Sequence, residues 1–103
     1  MPTVEQLQRL LEADPNDTFV LYGLAQAHAA NGDHDAAIEA YDRCLATDRL
    51  YSYAYYHKAR CEDAAGRRQA ALETLATGLA AAREAGDQKA VGEIGLLIDE
   101  LKA

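Results

Sequence analysis

Offsetting the chain by 34 residues brings like onto like. Ala25 falls on Ala59, Gly32 on Gly66, Ala36-Ala37 on Ala70-Ala71, Leu45 on Leu79 and Arg49 on Arg83. A fixed period of this length constrains the fold more than any local propensity does. Each repeat is one supersecondary unit that cannot bury its apolar face alone, so neighbours must stack to make a continuous core. Residues 18–51 and 52–85 hold two full periods, flanked by shorter segments over 3–14 and 87–102 that each fit half of one. The whole chain, 1–103, therefore reads as a single domain.

The residues that fill the period are helix formers. Alanine contributes 22 of 103 residues, while aromatics are limited to six Tyr and one Phe. That balance favours helix over strand. Stop and start signals divide each repeat in two. Asp17 can cap a helix over about 18–31 that ends at Asn31-Gly32, and Asp33 can cap the next, over about 34–47. A third helix is expected from near Leu50 to Gly66, a fourth from about Arg67 to Ala85 before Gly86, and a last over about 88–102 behind Asp87. Thr3-x-x-Gln6 has the form of a capping box, and Pro15 closes the helix it opens. The expected architecture is all-α with about six helices. Short loops make consecutive helices antiparallel neighbours. Ala25, Ala37, Ala59 and Ala71 stand where two helices of a hairpin cross, since a methyl group lets backbones approach closely.

The net charge of −7, from 17 acidic and 10 basic residues, repels phosphate backbones. The one basic cluster, Arg67-Arg68, is too short to offset it, so no nucleic-acid partner is expected. No apolar run approaches the roughly 18 residues that a membrane span needs, and no membrane partner is expected. The opening residues lack a basic segment followed by an apolar one, so a cytoplasmic setting is the expectation. In that setting Cys44 and Cys61 are read as reduced core thiols.

The period and its residues resemble the tetratricopeptide repeat, whose first helix carries Trp-x-x-Leu-Gly-x-x-Tyr and whose second carries Ala-x-x-x-Phe before a terminal Pro. The first repeat reads Leu21, Leu24-Ala25, His28, then Ala37 and Tyr41, with Arg49 in the Pro slot. The second reads Tyr55, Lys58-Ala59, Glu62, then Ala71 and Leu75, with Arg83 there. Leu7, Leu11 and Pro15 match the second half of a repeat, and Val91, Ile94-Gly95 and Ile98 match a first half. Lys58 and Glu62 depart from the Leu and Tyr of the pattern, and are expected to snorkel or to pair with each other at i, i+4. The resemblance implies a right-handed superhelical stack of antiparallel hairpins whose first helices line a concave groove.

On that implication the groove carries Phe19, Tyr22, Gly23 and Gln26 from the first repeat. The second contributes Tyr53, Tyr56, His57 and Arg60, and the last helix adds Lys89, Gly92, Glu93 and Leu96. Tyrosines beside Gln, His and Arg make an amphipathic surface of the kind enriched at interfaces. Arg60 follows Tyr56 by one turn and is placed to stack on its ring or to pair with a ligand carboxylate. The expected function is a non-catalytic interaction module that binds a peptide or protein segment. The carboxylate clamp that some members of the family carry is not expected, because Gly23 and His57 stand in its Asn slots and only Arg60 and Lys89 are cationic. The alternative is a homo-oligomeric adaptor, a homodimer in the simplest case. The last helix carries an apolar stripe, with Val91 and Ile98 in it and Leu96 on the other side, that is wider than one neighbour covers.

No catalytic constellation is read. There is no Gly-rich phosphate loop, and the carboxylates lie on polar faces with nothing apolar to raise their pKa. No Cys-x-x-Cys occurs and no two of His28, His34 and His57 share an i, i+4 face, so neither a metal nor a cofactor is expected. His28 is assigned to packing between helices, and His34, in a first turn, to solvent.

Overall fold

The computed structural model describes residues 2–103. Its elements are α1 (Val4–Ala13), α2 (Thr18–Ala30), α3 (His34–Thr47), α4 (Ser52–Ala64), α5 (Arg68–Ala85) and α6 (Gln88–Lys102). Among the described residues there is no strand. Chain neighbours pack in sequence, and α4 also touches both α2 and α6 across one side of the stack.

Caps form where short polar residues precede the apolar runs. The Asp17, Asp33 and Asp87 carboxylates accept from the backbone N–H of Val20, Ala36 and Ala90 at 3.1, 3.2 and 3.1 Å. Thr3 and Gln6 close the reciprocal capping box, Gln6 accepting from the Thr3 N–H at 2.9 Å. Gly32 and Gly66, one period apart, turn each hairpin at φ of 77° and 81°, a region costly for any residue with a Cβ.

One start differs from the sequence expectation. The third helix begins at Ser52 rather than near Leu50, because the Asp48 carboxylate takes the Leu50 N–H at 3.0 Å and the Asp48 carbonyl takes the Tyr51 N–H at 3.1 Å. Those two residues are spent in a turn. The fourth begins at Arg68, and neither α4 nor α5 has a side-chain cap.

The four crossing alanines, Ala25, Ala37, Ala59 and Ala71, are fully buried. One core cluster centres on Leu21, Leu24, Tyr41 and Cys44 under α1–α3, and a second on Leu75, Ala82, Ile94 and Leu97 under α5 and α6. Lys58 and Glu62 each pair with a neighbouring helix rather than with each other. The Lys58 ammonium meets Asp42 of α3 at 2.7 Å, and the Glu62 carboxylate accepts from the Thr74 hydroxyl of α5 at 2.6 Å. Helix-crossing geometry brings those partners closer than the next turn of the same helix.

The stripe on α6 is covered more fully than one neighbour would manage, because α6 lies against both α5 and α4. Ala90, Ile94, Leu97 and Leu101 are buried and Val91 and Ile98 pack partly against the same core, which leaves Leu96, 65% exposed, outside it.

Candidate functional site

The first helices of the hairpins turn their i, i+3, i+4, i+7 residues to one shared side. There the aromatic rings form a continuous path rather than separate surface groups. Tyr22 lies 4.8 Å from Tyr51, centroid to centroid, and meets Tyr41 edge-on at 6.1 Å and His57 at 6.0 Å. The path runs on from His57 to Tyr56 at 5.1 Å and from Tyr56 to Tyr53 at 6.4 Å, both edge to face. Edge-to-face and tilted contacts at these separations add to what burial alone contributes. The expected stacking of Arg60 on Tyr56 is present, with the guanidinium carbon 5.9 Å from the ring centroid. Gln26 donates to the Tyr22 hydroxyl at 3.2 Å and holds the ring from the next turn of α2.

The predicted residues do not all join this path. Tyr22, Tyr53, Tyr56, His57 and Arg60 are brought together. Phe19 sits apart at the outer end of α2, 75% exposed, and Lys89 is exposed on α6. Sequence reasoning missed Tyr51, because it lies in a turn where helical spacing predicts nothing. Tyr41, which stands in the second-helix pattern of the repeat, stacks its ring on His57 at 6.4 Å with 14° between planes. His34, expected in solvent, is half-buried instead, and its Nδ1 is shut off from water with no hydrogen-bond partner.

Three hollows open along this side and its end. The first, about 280 Å³, is largely apolar and lies between α1 and α2, with Leu7, Leu10, Phe19, Val20 and Gly23 around it. The second, about 250 Å³, is lined by His34, Tyr41, His57, Arg60 and Cys61. The third, about 360 Å³, lies on the other flank of Arg60, with Tyr56, Asp63, Leu97 and Glu100.

Burial sets the protonation chemistry here. It pushes the Tyr22 hydroxyl up to about 12, helped by Tyr51 and Cys44, and it pushes Tyr41 further still. Tyr53 is raised by burial and by the Glu93 carboxylate, and its hydroxyl is enclosed without a hydrogen-bond partner. His57 is lowered by burial first and then by Arg60, with Glu93 opposing. Cys44 is raised to about 11 by burial and by Asp48, and Cys61 is raised by burial and Glu62. Both thiols are free and stay protonated near neutral pH, so they are weak nucleophiles and weak metal ligands. Among the described residues no group of three or more His, Cys, Asp or Glu side chains is placed to hold a metal. No helix among them is long and apolar enough to cross a membrane.

Comparison with known proteins places this geometry. Family models for the tetratricopeptide repeat match residues 28–91 and 4–51. A TPR repeat-containing protein of Pseudomonas aeruginosa is 28% identical over 98 residues, which cover 95% of this chain and 93% of that protein. The solved tetratricopeptide repeat domain protein of Salinibacter ruber is 30% identical with a TM-score of 0.77, covering 84% of this chain and 96% of that one. The type III secretion chaperone SycD of Yersinia enterocolitica, solved in complex with a peptide of the translocator YopD, shares the fold. Its TM-score is 0.86 at 21% identity, over 96% of this chain and 76% of that one.

Proposed function

This chain belongs to the tetratricopeptide repeat family, and on that premise we propose that it is a non-catalytic interaction module whose concave side binds a peptide or protein segment. The observation that carries the reading is the joined aromatic path from Tyr51 through Tyr22, His57 and Tyr56 to Tyr53, with Arg60 laid on Tyr56. Rigid rings give contact area at low entropic cost, and aromatic and Arg residues are the types that dominate binding energy at interfaces. The fold neighbour solved with a translocator peptide supports the same use of the scaffold.

Peptides selected from a displayed random library on the immobilised chain test this. Tyr56→Ala should cost about 2 kcal/mol or more of their binding by calorimetry. Unchanged affinity, with helicity intact by circular dichroism, removes the groove from the reading.

A second reading rests on Leu96, which stands exposed on the face of α6 turned away from Val91 and Ile98. Self-association through that face makes the chain a homo-oligomeric adaptor. Light scattering at high micromolar concentration should then give a dimer mass that Leu96→Glu returns to monomer. A monomer mass for the parent chain rejects it.

A further inference from the structure

The hollow between α2, α3 and α4 is lined mainly by polar and cationic side chains, unlike the largely apolar hollow between α1 and α2. In a chain with 17 acidic residues and a net charge of −7, no carboxylate lines it. Its polar groups are the imidazoles of His34 and His57, the Arg60 guanidinium and the Tyr41 hydroxyl, set among small residues. Burial keeps that hydroxyl protonated, so it can donate.

Arg60 also differs from four nearby cations that sit against carboxylates, although Arg83 and Lys89 are likewise unpaired among the described residues. Arg49, Lys58 and Arg67 hold Glu84, Asp42 and Asp35 at 2.7, 2.7 and 2.8 Å, and Arg68 lies 3.9 Å from Asp63. Among the described residues no carboxylate comes within salt-bridge distance of Arg60. Its charge rests on the Tyr56 ring instead. Asp63 and Glu100 line the hollow on its other flank, but Asp63 is drawn towards Arg68. His34, which also lines the hollow, keeps its enclosed Nδ1 without a hydrogen-bond partner. A buried polar atom without a partner is uncommon and costly in a folded chain.

We propose that this hollow is the specificity pocket of the groove and takes the side-chain carboxylate of an Asp or Glu within the bound segment, with Arg60 as its main partner and His57 and Tyr41 as further donors. The inference rests on the groove reading above and narrows it to acidic segments. Neither a second copy of the chain nor a terminal carboxylate is required. Planar guanidinium pairs with planar carboxylate through two parallel hydrogen bonds, and the aromatic shelf under Arg60 limits the freedom lost on pairing. At about 250 Å³ the space suits one side chain rather than a folded element.

The experiment selects displayed random peptides on the parent chain and on Arg60→Glu, with Arg60→Gln as a neutral control and circular dichroism to confirm folding. On the parent chain, enriched peptides should share an Asp or Glu at one register position. Changing that residue to its amide in a synthetic peptide should weaken binding about ten- to hundredfold, the range for hydrogen bonds to charged groups. Arg60→Gln should show the same loss for the acidic peptide, and Arg60→Glu should select Lys or Arg at that position. The inference is overturned if the acidic preference is absent, or survives unchanged in Arg60→Glu. If peptides without a shared acid still depend on Tyr56, the groove reading stands and this pocket falls. If no peptide is enriched at all, both fall.

Discussion

The two central hairpins hold the same register with different chemistry. In α2–α3 the inward slots carry Leu21, Leu24 and Tyr41, nearly all of them shut from water, and Asp17 and Asp33 cap both helices. In α4–α5 the slots matching Leu24 and His28 hold Lys58 and Glu62, and neither helix has a side-chain cap. The second hairpin relies on contacts that the first does not need. They include the Lys58–Asp42 pair, the Glu62–Thr74 hydrogen bond and the Tyr55 hydroxyl, which donates to the Arg49 carbonyl at 2.7 Å. The backbone of α5 also comes close enough at Gly78 that an added Cβ would lie 2.5 Å from the Cβ of Tyr55. One pattern of positions can thus be satisfied by apolar burial or by directed polar contacts. The second solution is the more easily broken by a small change, and it underlies the helix that carries Tyr56, His57 and Arg60.

The largest effect is expected in the first hairpin. Leu24→Ala removes a side chain only 3% exposed and should lower stability by about 2–5 kcal/mol in urea unfolding, as core truncations do. A loss below about 1 kcal/mol would mean that the apolar slots do not carry this hairpin.

Gly78→Ala probes the second hairpin. Alanine in a helix ordinarily gains about 1 kcal/mol over glycine. Here the clash is with an atom fixed to the Tyr55 backbone, so overpacking of about 1–3 kcal/mol should outweigh the gain. Gly92→Ala is the control, since its Cβ meets nothing within 4 Å, and it should be stabilising.

Glu62→Ala leaves the Thr74 hydroxyl buried without its acceptor and should cost about 1–3 kcal/mol, whereas Glu62→Gln keeps an acceptor and should cost less. Equal losses for the two variants would assign the effect to packing rather than to the hydrogen bond.

Lys58→Leu restores the residue type of the first hairpin. Asp42 is more than half exposed, so it tolerates the loss of its partner, and the change should fall between neutral and a gain of about 1 kcal/mol.

The smallest effect concerns His57. Its pKa is lowered in the folded chain from the ordinary 6.5, so between the two values the unfolded chain binds more protons. Stability from this group is therefore full above 6.5 and declines as pH falls through that window. The urea midpoint should drop less between about pH 7 and about pH 5 in His57→Gln than in the parent, imidazole being the side chain that titrates there. An identical drop would place the pH response elsewhere.

Sequence alone determined the period, the six helices, their capping residues and the four crossing alanines. These features depend on residues close in the chain, or on a spacing that repeats, and Asp17, Asp33 and Asp87 cap where their order predicts. It also placed Tyr22, Tyr56, His57 and Arg60 on one side, because helical spacing fixes which residues share a face. Only the tertiary structure decided which side chains meet across helices. It paired Lys58 with Asp42 and Glu62 with Thr74, brought the turn residue Tyr51 to Tyr22, enclosed His34, and laid α6 on two helices so that Leu96 alone of its large apolar side chains stands well exposed. Those contacts depend on crossing angles and side-chain rotamers between segments far apart in the chain, and the helical period is the same whichever partner is chosen.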